Sequence, residues 1–124
     1  MSLFWIGWNK IVKKFLAQDG ETLSQMVYQC CDYKAKIVAA DERESGNRAL
    51  LNFGHTFGHV IETHEGYGQW LHGEAVSAGM VQALALSCQM GLLHKLDVLR
   101  VVNLLQTFNL PVKPPMIDVA TALD

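Results

Sequence analysis

The sequence has little cysteine, and none of it is arranged as a scaffold. Three cysteines occur in 124 residues. Cys30 and Cys31 are adjacent, Cys88 is distant, and no C-x-x-C pair exists. This spacing predicts neither a disulfide framework nor a cysteine zinc site. We therefore expect three small apolar core residues in a reducing cytoplasm.

Excess positive charge and membrane-spanning runs are also missing. Ten basic residues face twelve acidic ones, the formal net charge is −2, and the longest basic run is Lys13-Lys14. Aromatic residues do not interleave with the basic ones, so nucleic acid is not an expected partner. The longest uncharged run, residues 75–93, holds too many serines, glutamines and glycines for a bilayer span. We expect a buried core helix there.

Helical periodicity dominates what is present. Apolar residues recur at spacings of three and four, as in amphipathic helices, and no strand pattern interrupts them. Asp19 is placed to cap the second helix, and Gly91 to end the central one. We predict one all-α domain, residues 1–124, folded as an irregular multi-helix bundle. The predicted helices cover residues 4–17, 21–38, 48–62, 74–90 and 93–108, and a last one begins within 117–123.

The most distinctive stretch is residues 48–74, which holds four of the five histidines and half of the ten glycines. His55 and His59 are four residues apart, so a helix places them on one face about one turn apart. At that spacing two imidazoles can bind one metal, or one can bind metal while the other binds substrate. His72 follows a glycine-containing turn that can return it to the same point. The alternative is a polar helix face that simply meets water.

Arg48 and Asn52 continue this histidine series towards the N-terminus on the same predicted helical stripe. A fixed cation, an amide and two imidazoles suit a polar anionic ligand, because arginine binds carboxylate or phosphate in bidentate fashion. His64 and His94 have no such company and are predicted to be surface residues.

Two charged features can be interpreted as ordinary solvent-exposed segments. Lys34 interrupts the apolar stripe of its helix, and it either carries its ammonium to the surface or is a cation at the edge of a pocket. Residues 41–46 form a short charged connector that is typical of a solvated turn.

The residues alone predict half of a site. A catalytic zinc usually takes three protein ligands, and the spacing offers His55 and His72 without an obvious third. The pattern is not H-E-x-x-H, so a metalloprotease of that class is not supported. A glycine-rich nucleotide loop is missing as well.

Several longer runs carry more information than these pairs. They are Lys34-Ala35, D-E-R-E at residues 41–44, L-N-F-G-H-T-F-G-H at 51–59, and W-L-H-G-E at 70–74. Through these runs the chain closely resembles the 3-dehydroquinate synthase family, most strongly from about Tyr33 to Met80. The resemblance implies a two-domain enzyme, with an N-terminal α/β domain that binds NAD and a C-terminal helical domain. This chain corresponds to the helical domain, so we expect the NAD-binding domain to lie outside it and the isolated chain to be inactive.

The resemblance also implies roles for individual residues. His55 and His72 correspond to two ligands of a divalent metal, usually zinc, with cobalt as the other metal considered. The family's third ligand is a glutamate upstream of this chain. His59 corresponds to a histidine that binds substrate hydroxyls and relays protons. The remaining positions are Lys34 and Arg48 for the substrate carboxylate, Asn52 for the phosphate side, and Glu44 as an active-site carboxylate.

The implied reaction converts 3-deoxy-arabino-heptulosonate 7-phosphate to 3-dehydroquinate and phosphate. This is a carbon–oxygen lyase step of the shikimate pathway, which leads to chorismate and the aromatic amino acids. The alternatives are a related NAD- and metal-dependent cyclase such as 2-deoxy-scyllo-inosose synthase, or a non-catalytic helical module. We further expect a cytoplasmic homodimer whose partners are the sugar phosphate and the NAD-binding domain.

Overall fold

The computed structural model describes residues 3–41, 46–66 and 68–116, and these residues form helices and no strand. The prediction of an all-α fold is confirmed. The predicted last helix within 117–123 lies outside the described residues. The elements are α1 Leu3–Leu16, α2 Gly20–Ala40, a 3₁₀ helix Asn47–Asn52, α3 His55–Glu65, α4 His72–Gln89 and α5 Lys95–Thr107.

The chain divides into two compact units, Met1–Leu51 and Asn52–Asp124. In the first unit α1 packs on α2. The predicted cap of α2 is confirmed, because Asp19 Oδ2 accepts hydrogen bonds from the Thr22 N–H at 3.0 Å and the Thr22 hydroxyl at 2.6 Å. The prediction of one domain over residues 1–124 stays a prediction.

The cysteines of α2 do not lie in a core. Cys30 and Cys31 are exposed and Cys88 is half-buried, so the expectation of three core cysteines is wrong. No residue of α2 is buried among those described. The physical reason is that a long helix packed on one neighbour leaves most of its circumference uncovered. Within its unit, α2 has α1 as that neighbour.

Asp41 ends α2 and is 2% exposed. Its Oδ2 accepts hydrogen bonds from the backbone N–H groups of Gly46 at 3.1 Å and Arg48 at 2.8 Å. The carboxylate therefore joins the two ends of the charged connector. A solvated turn is the wrong description for this first residue, because backbone donors take the place of water around it.

In the second unit, α3 and α4 approach until their backbones touch, and glycine occupies each contact. A Cβ at Gly79 would overlap the carbonyl oxygen of Gly54 and lie 2.7 Å from the nitrogen of Gly58. A Cβ at Gly58 would lie 3.2 Å from the Cα of Val76. We call Gly54, Gly58 and Gly79 the glycine joint. The missing side chains set the distance between the two helices.

The glycine joint also explains why one predicted helix is wrong. Residues 48–62 do not form a continuous helix, because the 3₁₀ helix stops at Asn52 and α3 starts at His55. Between them Gly54 adopts φ 83°, a left-handed conformation that breaks a right-handed helix. Arg48 and Asn52 therefore do not share a helical stripe with the histidines of α3.

The small core of this unit lies beside the joint. Ile61 of α3 packs with Ala75 and Ala78 of α4, and Trp70 covers them. The buried Ser77 donates a hydrogen bond to the Pro111 carbonyl at 2.8 Å, which holds the segment after α5 against α4.

The expected burial of residues 75–93 holds for the first part of that run and not for its end. Residues 75–79 are buried, whereas Leu86 and Met90 are exposed. None of the helices in the described ranges is long and apolar enough to cross a membrane.

Adding a methyl group at the joint should destabilise the fold. Gly79→Ala forces a Cβ into backbone atoms that cannot rotate away, and overpacking typically costs about 1–3 kcal/mol. Gly73→Ala is the matched control in the same helix, because its Cβ meets no described atom within 4 Å. The control should stabilise the helix by roughly 0.5–1 kcal/mol. Urea unfolding measures both free energies, and equal values for the two variants would contradict the close approach.

The Asp19 cap should make stability depend on acid pH. Hydrogen bonds from the Thr22 hydroxyl, and then from the Thr22 N–H, hold the pKa of Asp19 below its usual value. The stabilisation is therefore complete above the unfolded pKa of about 3.9 and is lost as the pH falls through the lower folded pKa. Asp19→Asn keeps a capping oxygen and does not titrate. Its thermal midpoint should fall less steeply in acid than that of the unaltered protein, and identical pH profiles would refute the assignment.

Candidate active site

Three histidines of the second unit converge at the start of α3 and α4. His55 and His59 lie one turn apart on α3, and His72 is the first residue of α4. Their ring centroids are 5.4 Å apart for His55 and His72, 5.9 Å for His59 and His72, and 6.1 Å for His55 and His59. We call these residues the histidine cluster. The structure thus brings together the three histidines that the sequence singles out.

Two local features deliver His72 to this point. The chain leaves α3 through Gly66 and Gly68, both with positive φ, and Trp70 then anchors it on the core. Glu74 next closes the first turn of α4, because its Oε2 accepts the Leu71 N–H at 3.0 Å. Only this half of a capping box is possible, since a leucine side chain has no acceptor to offer in return.

Glu62 connects two members of the cluster. Its Oε1 lies 3.0 Å from His72 Nδ1, and its Oε2 lies 2.9 Å from His59 Nδ1. The hydrogen bond from His72, and then that from His59, hold the pKa of the Glu62 carboxyl below its usual value. The sequence analysis missed this residue. The spacing of three from His59 was a visible signal, but the pairing with His72 depends on how the loop returns.

The other predicted site residues are exposed where the structure describes them. Lys34 is exposed on α2, and Arg48 is exposed on the 3₁₀ helix of the first unit. Asn52 is exposed at the end of that 3₁₀ helix, and Glu44 lies outside the described residues. His64 and His94 are exposed, as predicted.

Comparison with known proteins decides the family. The family model described as 3-dehydroquinate synthase C-terminal matches residues 3–124. The chain belongs to the 3-dehydroquinate synthase family. The 3-dehydroquinate synthase of Psychrobacter cryohalolentis is 59% identical over 122 residues, which cover 98% of this chain and 32% of that protein. The 3-dehydroquinate synthase of Acinetobacter baumannii strain AYE is 50% identical over 115 residues, which cover 93% of this chain and 31% of that protein.

The match has a definite extent. The 3-dehydroquinate synthase of Pseudoalteromonas atlantica is 52% identical over 111 residues, again 31% of that protein. The chain therefore spans about a third of the length of the curated relatives that it matches.

Members of the 3-dehydroquinate synthase family are expected from the resemblance to hold a divalent metal, and two residues fit one. A tetrahedral zinc with Zn–N bonds of about 2.1 Å holds two imidazole centroids roughly 5 Å apart. The 5.4 Å between His55 and His72 is the nearest of the three ring distances to this value. His55 Nδ1 is also buried and meets no hydrogen-bond partner among the described residues. A bound cation or its water is the kind of group that satisfies such a nitrogen.

A third donor is not in place within the described ranges. No three histidine, cysteine, aspartate or glutamate side chains there stand at distances suited to one metal ion. The described part of the chain therefore offers two imidazoles at a spacing compatible with one metal, and a third imidazole beside them.

Removing the Glu74 cap should loosen the start of α4. Glu74→Ala loses both the acceptor for the Leu71 N–H and a negative charge at a helix N-terminus, which together are worth about 1–2 kcal/mol. Glu74→Gln keeps an acceptor and should lose only the charge contribution, about 0.3–1 kcal/mol at most. Denaturant unfolding of both variants measures the difference. An alanine variant as stable as the glutamine variant would show that the hydrogen bond does not hold this turn.

Proposed function

We propose that this chain is the metal- and substrate-binding part of a 3-dehydroquinate synthase. The complete enzyme would convert 3-deoxy-arabino-heptulosonate 7-phosphate to 3-dehydroquinate and phosphate on the way to chorismate. The observation that carries the proposal is the convergence of His55, His59 and His72 within the motifs that mark the family. A non-catalytic helical module gives no reason to bring three imidazoles to one point.

In this proposal the histidines divide the work between metal and substrate. His55 and His72 hold a divalent metal, zinc or cobalt, together with a glutamate from outside the chain. When bound, the metal would supply Lewis-acid polarisation of substrate oxygens, and NAD would supply the hydride chemistry. NAD is bound mainly outside this chain.

His59 is the proton carrier of the proposed site. Of the two histidines that contact Glu62, His59 is the more exposed, with 65% of its side chain accessible against 57% for His72. An imidazole can both accept and donate a proton at Nε2. His59 therefore suits hydrogen bonding to substrate hydroxyls and relay of the protons that these release.

Four further polar residues are part of the proposed function, with roles that follow from the family resemblance. Lys34 and Arg48 hold the substrate carboxylate, for which a guanidinium fork and a flexible ammonium are complementary partners. Asn52 contacts the phosphate side, and Glu44 contributes an active-site carboxylate. Exposure of Lys34, Arg48 and Asn52 supports these roles, since each side chain is accessible to a ligand.

The proposal extends to the assembly. Large apolar side chains are exposed at the end of α4 and around α5, including Leu86, Met90, Leu92 and Leu96. Uncovered apolar surface of this kind marks association sites. We propose that the NAD-binding domain and a second copy of the enzyme cover such surface in a cytoplasmic homodimer.

Single histidine variants of the complete enzyme that carries this segment test the division of roles. His55→Ala and His72→Ala should each weaken zinc binding at least tenfold, measured by competition with a chromophoric chelator. His59→Ala should keep its zinc affinity and lose about 10²–10⁴-fold in turnover, the usual contribution of a general acid–base. His94→Ala, at an exposed helix start, is the control and should change neither quantity.

The same assay separates the competing functions. Unaltered enzyme is supplied with 3-deoxy-arabino-heptulosonate 7-phosphate or with the sugar phosphate that a 2-deoxy-scyllo-inosose synthase would cyclise. Product from the first substrate supports the proposal. Product from the second alone would assign the alternative cyclase, and product from neither would favour the non-catalytic module. Equal loss of zinc in all three histidine variants would refute the separate role of His59.

A further inference from the structure

Glu62 contacts two histidines at once, and the proposed roles of the histidines do not by themselves require this contact. Its two oxygens are used separately, Oε1 towards His72 Nδ1 and Oε2 towards His59 Nδ1. Its side chain is only 13% exposed, although both rings that it contacts are largely accessible. The carboxylate is therefore largely shielded from solvent, whereas the two imidazoles that it contacts are accessible.

The chemistry of these groups determines where the protons are. An ionised carboxylate only accepts hydrogen bonds, so both Nδ1 atoms must carry a proton to donate. In a neutral imidazole the other nitrogen, Nε2, then holds the free lone pair. Both rings consequently present Nε2, the nitrogen not turned towards Glu62, to a ligand.

We propose that Glu62 is a positioning residue that fixes the tautomer and orientation of His59 and His72 at the same time. The inference rests on the proposed function and deepens it. For His72 the contact would complete a carboxylate–histidine–metal relay when a metal binds, and it holds the ring in place for that ligand role. For His59 the same carboxylate keeps Nε2 free to accept a substrate proton. One side chain thus links the metal ligand to the proton carrier.

A neighbouring pair shows what an ordinary contact looks like on the same helix. Glu65 meets one histidine, His64, at 3.1 Å through adjacent positions in the chain. Glu62 instead reaches ten residues along the sequence to His72, across to the next helix. Glu65→Gln is therefore a matched control, because it makes the same chemical change on α3 away from the histidine cluster.

Glutamine at position 62 gives a sharp test. Its amide can accept from one Nδ1–H, but its nitrogen only donates, so it cannot accept from both rings. In the complete, metal-free enzyme labelled with ¹⁵N-histidine, His59 and His72 should both show protonated Nδ1. Glu62→Gln should convert at least one ring to the Nε2–H form, with resonances assigned from His59→Ala and His72→Ala.

Metal binding and turnover give the second readout. Glu62→Gln should weaken zinc affinity about 10–100-fold, the usual effect of losing such a supporting carboxylate. Saturating zinc should restore occupancy and leave turnover reduced, because the His59 proton is still misplaced. Glu62→Asp, which keeps two acceptor oxygens on a shorter stem, should recover part of both losses. Glu65→Gln should match the unaltered enzyme throughout.

Two results would overturn the inference. One is an Nε2–H tautomer of either ring in the unaltered enzyme, which needs no variant to fold. The other is Glu62→Gln with unchanged histidine spectra and unchanged zinc affinity. Spectra and affinity as expected, in an enzyme that does not turn over 3-deoxy-arabino-heptulosonate 7-phosphate, would uphold the role of Glu62 and reject the proposed substrate.

Discussion

The second unit depends on backbone contact between α3 and α4 at the glycine joint. Side chains normally hold packed helices 8–10 Å apart, and here the three positions that would do so have none. The close approach brings the first turn of α3 beside the body of α4. Ile61, Ala75 and Ala78 can then form a core from few and mostly small residues. Without this contact, the core would have to be rebuilt with larger side chains.

The joint also determines where the chemistry lies. His55 is the first residue of α3 and follows Gly54 directly, so its position is set by the turn that the joint stabilises. His72 is the first residue of α4 and is held by Trp70 and Glu74. Residues at the ends of rigid helices are positioned more narrowly than residues on loops. Glu62 then ties the two helix starts together through His59 and His72.

Local signals in the sequence were sufficient for some of these features. Apolar periodicity located the helices other than the one predicted at residues 48–62, and the Asp19 cap follows from a short-range contact with Thr22. Spacing alone indicated that His55, His59 and His72 could meet. The roles given to these histidines came from the family motifs and stay predictions.

Features that depend on distant parts of the chain were missed. The helix break at Phe53-Gly54 could not be predicted from the local sequence, because glycine is compatible with a helix. The break depends on the close packing of Val76 and Met80 against Gly54. The burial of Asp41 depends on donors from Gly46 and Arg48, across a connector. The double role of Glu62 needs the path of the loop to His72. For α2 the error is the reverse: its apolar stripe was predicted to be buried, and the two cysteines on it are exposed.

The glycine joint has a consequence for how this protein can vary through generations. Every missense change in a glycine codon adds a side chain, so no small step away from glycine exists at Gly54, Gly58 or Gly79. Most atoms that a new Cβ would meet there are backbone atoms, which no substitution makes smaller, so the two helices would have to move apart. Amino-acid substitutions should therefore accumulate on the outer faces of α3 and α4 and not at the glycine joint. The three glycines of the joint should therefore be retained together or lost together.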